Sequence, residues 1–340
     1  MRSVLWLLLL AFATACGGQP QPTPAPPPPT AKPAAAAAPS PSPAVAAAAS
    51  PTPAAAFPVS RAAFAALIDN NVEARPQSGL DGADVVYEAP AEGGIPRLMA
   101  LFLRDGANVE RIGPVRSARH YFVYLAAEYR VALVHIGASP QGFQALDETG
   151  LERVDETRGD GGFMREPARQ APHDAYVSTQ SVRTELERRA ARITAGTAGL
   201  SFGTFRPGGQ QATQLRLAYP AGGFSAQYDY DAGSRMYQRS QDGQPHVDER
   251  SGKRYAARSV IVQQLPVTPI PNDDAGRVDL GLAGNGRGLL LAEGTQVPLQ
   301  WSKTSLSEAT RFTRDDGAPF ALPDGQVWIE LVPLDAQVQT

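Results

Sequence analysis

Residues 17–56 are almost wholly proline, alanine, serine and threonine, and this stretch sets the first limit on what the chain can fold into. It carries too few large apolar side chains to offset the entropy of ordering a backbone. A disordered tether is expected over 16–56, counting the cysteine that precedes the tract. Proline keeps such a segment extended at about 3.1 Å per residue, so it reaches on the order of 100 Å. The folded body must lie beyond it. Roughly 280 residues remain there, which suits two ordinary domains.

Ahead of the tether, Arg2 supplies a positive charge and Val4 to Phe12 an apolar run. The run is too short to span a bilayer, which needs about 20 residues. It reads as the core of a signal peptide, 1–15, ending in Ala13-Thr14-Ala15 before Cys16. Cys16 is the only cysteine. Its placement after small residues resembles a bacterial lipobox, with Ala13 where leucine is usual. By that resemblance the signal is cut before Cys16 and the cysteine is lipidated, with palmitate among its acyl chains. The alternative is an ordinary signal peptide with a chance cysteine. A single thiol in an exported chain would be an unpaired liability, which favours the lipid reading. Each buried methylene contributes roughly 0.8 kcal/mol, so several chains hold firmly. The expected location is the cell membrane, lipid-anchored, on the extracytoplasmic face.

Charge narrows the partners. With 31 basic and 34 acidic residues the net charge is -3. No field favours nucleic acid, and no polybasic run marks an anionic membrane surface. Lys32, Lys253 and Lys303 are the only lysines, so nearly all the positive charge is arginine. A GC-rich genome accounts for that bias, yet each arginine is still a planar fork suited to carboxylate or phosphate. The body has no cysteine, and His120, His135, His173 and His246 are scattered. Neither a metal site nor a cofactor is expected.

The apolar pattern predicts an α/β (or α+β) domain over 57–195 and a mainly antiparallel β domain over 196–340. In the first, strand-like runs occur at Phe64–Ile68, Ala83–Glu88, Arg97–Leu103 and Val131–Ile136. Helices are expected over Ser117–Tyr129, Pro140–Glu148 and Thr179–Thr194. In the last of these, Arg183/Glu187 and Glu185/Arg189 sit at i,i+4 and read as a solvated face. A long polar loop separates the second and third helices, over Thr149–Ser178. In the second domain short alternating runs recur at Leu215–Tyr219, Phe224–Tyr230, Arg235–Arg239, Ser259–Gln264, Leu289–Ala292, Val297–Trp301 and Val327–Val332. Turn signals such as Gln241-Asp242-Gly243 and Asp316-Gly317 separate them. Gly281–Gly288 reads as a β-turn region rather than a phosphate loop.

Three polar segments close apolar strands in the first domain, where α/β proteins place ligands. Asp69-Asn70 leads to Arg75. Glu88 leads to Glu92 and Arg97. Arg116-Ser117-Ala118-Arg119 opens the first helix. Ser117 is a candidate N-cap, and a helix start with two guanidinium groups would make an anion pocket. Arg75, Arg97, Arg116, Ser117, Arg119 and His135 are the candidate ligand-binding residues. The same arginines can instead pair internally with Glu88, Glu92 or Asp69. His135 also reads as a core histidine, and His173 either covers the pocket or lies on a surface turn. Glu88 and Glu92, with Asp69, are the candidate catalytic carboxylates, an acid/base pair as in glycoside hydrolysis.

Longer strings carry a resemblance. Arg75-Pro76-Gln77-Ser78-Gly79-Leu80, Glu92-Gly93-Gly94 with Arg97, and the run from Gly113 to Arg119 look like the YerB-like family of bacterial lipoproteins. His135-Ile136-Gly137, Tyr237-Gln238-Arg239, His246-Val247-Asp248 and Gly325-Gln326-Val327-Trp328-Ile329 continue it through the second half. Ala138 and His120 stand where that family usually has glycine and proline. The resemblance implies a two-domain exported lipoprotein and no particular activity. Two readings stay open. One is a binding module for an anionic envelope ligand or a cell-wall assembly partner. The other is an envelope enzyme acting on glycan or phosphate-linked polymer. The order of strand, aspartate and arginine-rich turn is similar to glycopolymer transferases of the LytR type, although the motifs do not match.

Overall fold

The structure is a computed structural model and describes residues 59–207, 209–315 and 321–340. The signal segment, Cys16, the tether and the Asp316-Gly317 turn lie outside the described residues. In the first half the apolar runs become strands. β1 is Phe64–Ile68, β2 Val85–Ala89 and β3 Arg97–Phe102, and every residue in them is buried. Burial on both faces explains why these segments read as continuous apolar runs rather than alternating ones. Helix α1 spans His120–Tyr129, followed by β4, Ala132–His135, and α2, Pro140–Thr149. The Ser139 side chain caps α2 by accepting from the Gly142 N–H, and Gly150 closes it in the left-handed conformation. Next come β5, Arg153–Asp155, then a small pair, β6 at Met164–Arg165 and β7 at Ala175–Tyr176. Helix α3, Thr179–Arg188, starts in a capping box between Ser178 and Ser181.

Three local expectations are corrected. The first helix begins at His120 rather than Ser117, and Ser117 does not cap it. The backbone just before the helix is already engaged: Val115 N–H donates to Ala175, Arg116 N–H to Leu67 and Ala118 N–H to Gly137. Residues bonded in that extended way cannot also start a helical turn. The third helix ends at Arg188, and its charged face is only partly solvated, since Glu187 and Arg188 are exposed and the others are engaged. Glu185 is buried and pairs with Arg188, while Arg183 donates to the Arg104 and Ala107 carbonyls and Arg189 reaches Asp160. The long polar segment over 149–178 is not structureless, because it holds β5 to β7.

The second half supplies β8, Gln214–Ala218, β9, Ser225–Asp231, β10, Met236–Gln241, and β11, Gln244–Pro245. Asp242 and Gly243 join β10 to β11 with φ of 49° and 75°, the positive pair a tight hairpin requires. Then follow β12, Ala256–Ala257, β13, Ser259–Leu265, and a hairpin of β14, Val267–Pro269, with β15, Val278–Leu280. β16 is Gly284–Ala292, β17 Thr295–Lys303, β18 Arg311–Arg314, β19 Val327–Pro333 and β20 Gln337–Gln339. The glycine-rich stretch is thus mostly strand, not turn. A Cβ at Gly286 would sit 2.7 Å from the Trp301 indole nitrogen, so glycine there admits a close neighbour.

One ten-stranded sheet runs β18-β17-β16-β13-β19-β2-β3-β1-β4-β5 and passes across the boundary expected at 195/196. β19 enters between β13 and β2, parallel to both. The second half is therefore antiparallel except where β13 meets β19. One face of the sheet carries Leu67, Tyr87 and Ile329 against Tyr121, Phe122 and Leu125 of α1. The other carries Ile68, Val86 and Trp328 against Val182 and Leu186 of α3 and against Leu215, Tyr228 and Tyr237 of a second sheet, β11-β10-β9-β8-β20. Because side chains alternate along a strand, the two faces bury separate apolar sets within one compact unit.

Candidate functional site

Glu88 lies on the sheet face that meets the second sheet, where it joins a buried polar network. Its carboxylate accepts from Arg239 at 2.5 Å and from Asn70 at 2.9 Å, and Arg239 and Glu88 are both fully buried. Glu330 stands opposite Glu88 in the parallel β19/β2 register and accepts from Tyr228. Arg239 also donates to the Tyr228 hydroxyl at 3.1 Å and to His246 Nδ1 at 2.5 Å, while His246 Nε2 meets Gln77 at 2.8 Å. Asn70 Oδ1 accepts from Gln77 and Gln241 at 2.9 and 2.6 Å. Burial, then the Glu88 carboxylate, push Glu330 well above the ordinary carboxylate range. Burial, then Arg239, hold His246 well below its usual value. One guanidinium thus faces two carboxyls, and these surroundings favour the neutral form of Glu330. Glu88 and Glu92 do not share a cavity, so they form no acid/base pair with water between them.

The upward shift at Glu330 has a consequence for stability. A carboxyl raised on folding contributes stability below its unfolded pKa, about 4.3, and loses it as pH rises through the folded value. Glu330→Gln keeps the shape and removes the titration. Relative to the parent chain, the variant should gain stability as pH rises from about 4.3 until the folded value is passed. Urea midpoints at the two ends check this, and parallel pH profiles would show that Glu330 is not the protonated partner.

The arginines form a different site. Arg97 leaves the start of β3, Arg116 and Arg119 lie just before α1, and all three line one cavity of about 280 Å³ with Asp69 and Glu92. Arg277, from the turn between β14 and β15, reaches the same cavity from the second half of the chain. Glu92 pairs with Arg119, meets Arg97 at 3.4 Å and lies 3.8 Å from Arg277. Arg97 also donates to the Ser117 carbonyl at 2.9 Å, which is how Ser117 enters the site. Arg116 Nε lies 3.0 Å from Asp69, whose same oxygen takes His173 Nδ1 at 2.7 Å. The Nε atoms of Arg116 and Arg277 are buried and hydrogen-bond to nothing among the described residues. Burial pushes Glu92 up, but Arg97 and Arg119 outweigh it and hold its carboxyl below the usual range. Burial and Arg97 likewise make Arg119 a weaker base than usual, against the pull of Glu92. Positive charge is thus in excess here, and an anion would be the stabilising addition.

Arg75 and His135 lie elsewhere. Arg75 pairs with Asp242 at 2.6 Å and borders an adjoining groove of about 680 Å³, which shares Asn71 and Ile95 with the arginine cavity. His135 is wholly buried at the end of β4, with its Nδ1 against the Gly137 carbonyl at 2.9 Å. Burial holds it below its usual pKa despite Asp155, so it is a neutral core histidine rather than a pocket residue. Sequence reading missed Arg277, Arg239 and Glu330. Arg277 sits in a polar turn with no signal of its own. Glu330 carried one, since it is a charged residue within an apolar strand, whereas Arg239 lies in a mostly polar strand and only its alternation with Tyr237 pointed inward. Among the described residues no cluster of histidine, cysteine or carboxylate could hold a metal ion, and no helix is long and apolar enough to cross a membrane.

Comparison with known proteins fits this architecture. The model described as the N-terminal domain of a protein of unknown function, DUF3048, matches residues 51–192, and its C-terminal counterpart matches 215–329. A Bacillus subtilis (strain 168) protein named "Putative lipoprotein YerB" is 32% identical over 282 residues, 81% of this chain and 83% of that one. A crystal structure of YerB protein from Bacillus subtilis matches with a TM-score of 0.71 and 32% identity, over 82% of this chain and 94% of the other.

Proposed function

The chain belongs to the DUF3048, YerB-like family of lipoproteins, and from that premise we propose an exported envelope protein, lipid-anchored through Cys16, whose body binds an anionic cell-envelope ligand. The observation that carries the reading is the meeting of Arg97, Arg116, Arg119 and Arg277 around one cavity. The buried Nε donors of Arg116 and Arg277 face Asp69 at 3.0 Å and Glu92 at 3.8 Å but make no hydrogen bond among the described residues. Buried donors cost free energy unless something accepts from them. Guanidinium forks suit a phosphate or carboxylate better than any neutral group. The ligand is held without covalent chemistry and without a cofactor.

Arg116 gives the test. Lysine keeps the charge and loses the fork. Arg116→Lys should weaken binding of inorganic phosphate, measured by calorimetry on the full chain, by about 1–3 kcal/mol. The thermal midpoint should hold, because this arginine borders solvent and is not a core group. A variant that melts early and binds phosphate as the parent does would make the arginine structural and end the reading.

A second reading, an envelope enzyme acting on a glycan or phosphate-linked polymer, draws on Asp69. Its oxygen takes both Arg116 and His173, so an oriented imidazole stands beside the cavity. That is a pairing suited to general acid–base work. Turnover of a wall polymer that is lost in His173→Gln, with phosphate binding kept, would favour it.

A further inference from the structure

The arginine cavity adjoins a mainly apolar groove, and the two share Asn71 and Ile95. The groove, about 680 Å³, falls within the range of roughly 300–1,000 Å³ typical of small-molecule sites. Val72, Phe224, Pro245 and Val247 line it. Two of its apolar side chains are held out to solvent: Val72 is 68% exposed and Ile95 37%. Exposed apolar groups gathered at a cavity mouth mark a surface that something covers. The shared rim is built by a tight backbone contact. A Cβ at Gly94 would lie 2.6 Å from the Ala221 backbone, and one at Gly222 would lie 2.7 Å from the Gly94 carbonyl. Only glycine at both positions lets the loop over 91–96 meet the loop over 220–223, which joins cavity and groove.

We infer that the ligand is a single-chain amphiphile: a phosphomonoester head held by the arginines, and an apolar chain running from Ile95 past Val72 into the groove. The inference rests on the anion-binding reading above. Phosphate is the head because the guanidinium groups converge from three separate elements, β3, the segment before α1 and the β14/β15 turn. A tetrahedral group with three terminal oxygens offers acceptors in three directions, whereas a carboxylate offers two oxygens in one plane. The cavity lining has four arginines against Asp69 and Glu92, an excess of two positive charges, or one when Asp273 behind Arg277 is counted. A phosphomonoester matches that excess. The chain is apolar because the groove's exposed side chains are.

The test uses the full chain in nonionic detergent, with calorimetric titration of methyl phosphate, hexyl phosphate and hexanol. Hexyl phosphate should bind at least about tenfold more tightly than methyl phosphate, since five further methylenes leave water. Hexanol should not bind measurably. Val72→Asn should erase the advantage of the longer chain and leave methyl phosphate unchanged, as it adds no charge and Val72 is exposed and outside the arginine cavity. Equal affinity for the two phosphates would overturn the amphiphile and leave the anion site standing. Binding of neither phosphate would remove both readings. A chain-length effect that survives Val72→Asn would place the chain outside the groove and overturn the inference.

Discussion

Arg239→Met is expected to destabilise the body by about 3–5 kcal/mol, the range for removing one partner of a buried ion pair. Arg239 and Glu88 are both fully buried, and Arg239 is the guanidinium that meets Glu88 and the Tyr228 hydroxyl and approaches His246. Without it, Glu88 would face Glu330 across neighbouring strands without the guanidinium that pairs with it. Methionine fills the volume, so the loss is electrostatic rather than a cavity. The second variant of the pair tests that reasoning. Adding Glu88→Gln removes the stranded charge, and the double variant should recover part of the loss. Urea unfolding of the three proteins measures it. A single variant within about 1 kcal/mol of the parent would mean that the network contributes little to holding the two sheets together.

Cys16→Ala is expected to abolish lipid attachment outright. Cys16 is the chain's only cysteine and follows a short apolar run and small residues. No other side chain can take the thioether, so the effect has no partial form. The variant should lose acyl labelling and leave the membrane fraction, or persist as an unprocessed precursor. The body's thermal midpoint should not move, because the anchor is separated from it by the proline- and alanine-rich segment. Unchanged labelling of the variant would place the anchor elsewhere. A large fall in the midpoint would mean that the amino-terminal segment packs on the body.

The strands were the most legible part of this protein. Phe64–Ile68 is the same five residues in sequence and structure, and the run read from Val327 becomes β19 almost unchanged. A five-residue apolar run bounded by polar turns has few other uses. Helix ends were less legible. Ser117 has the chemistry of a cap, but the backbone beside it is bonded to Leu67 and Gly137, partners 49 or more and 19 residues away. Local preference lost there to contacts that local sequence does not encode.

The candidate site divides in the same way. Arg97, Arg116, Arg119, Asp69 and Glu92 were visible as polar groups at strand and helix ends, and they share one cavity. Glu88 looked the same and went to the opposite side of the story, into the layer between the sheets. Strand alternation gives its face but not what packs on that face. Arg239 lies 151 residues from Glu88, and Arg277 reaches Glu92 from a hairpin in the other half. Composition and periodicity by themselves determined the expected tether, most of the longer strands and an arginine-rich site, while the expected anchor rests on a likeness to a lipobox. Each follows from the properties of a short stretch of chain. Which carboxylate each arginine meets, the place of β19 between β13 and β2, and the joining of a charged cavity to an apolar groove were decided only in the tertiary structure. Those depend on pairings between distant segments, whose free energy appears only when the layers close on one another.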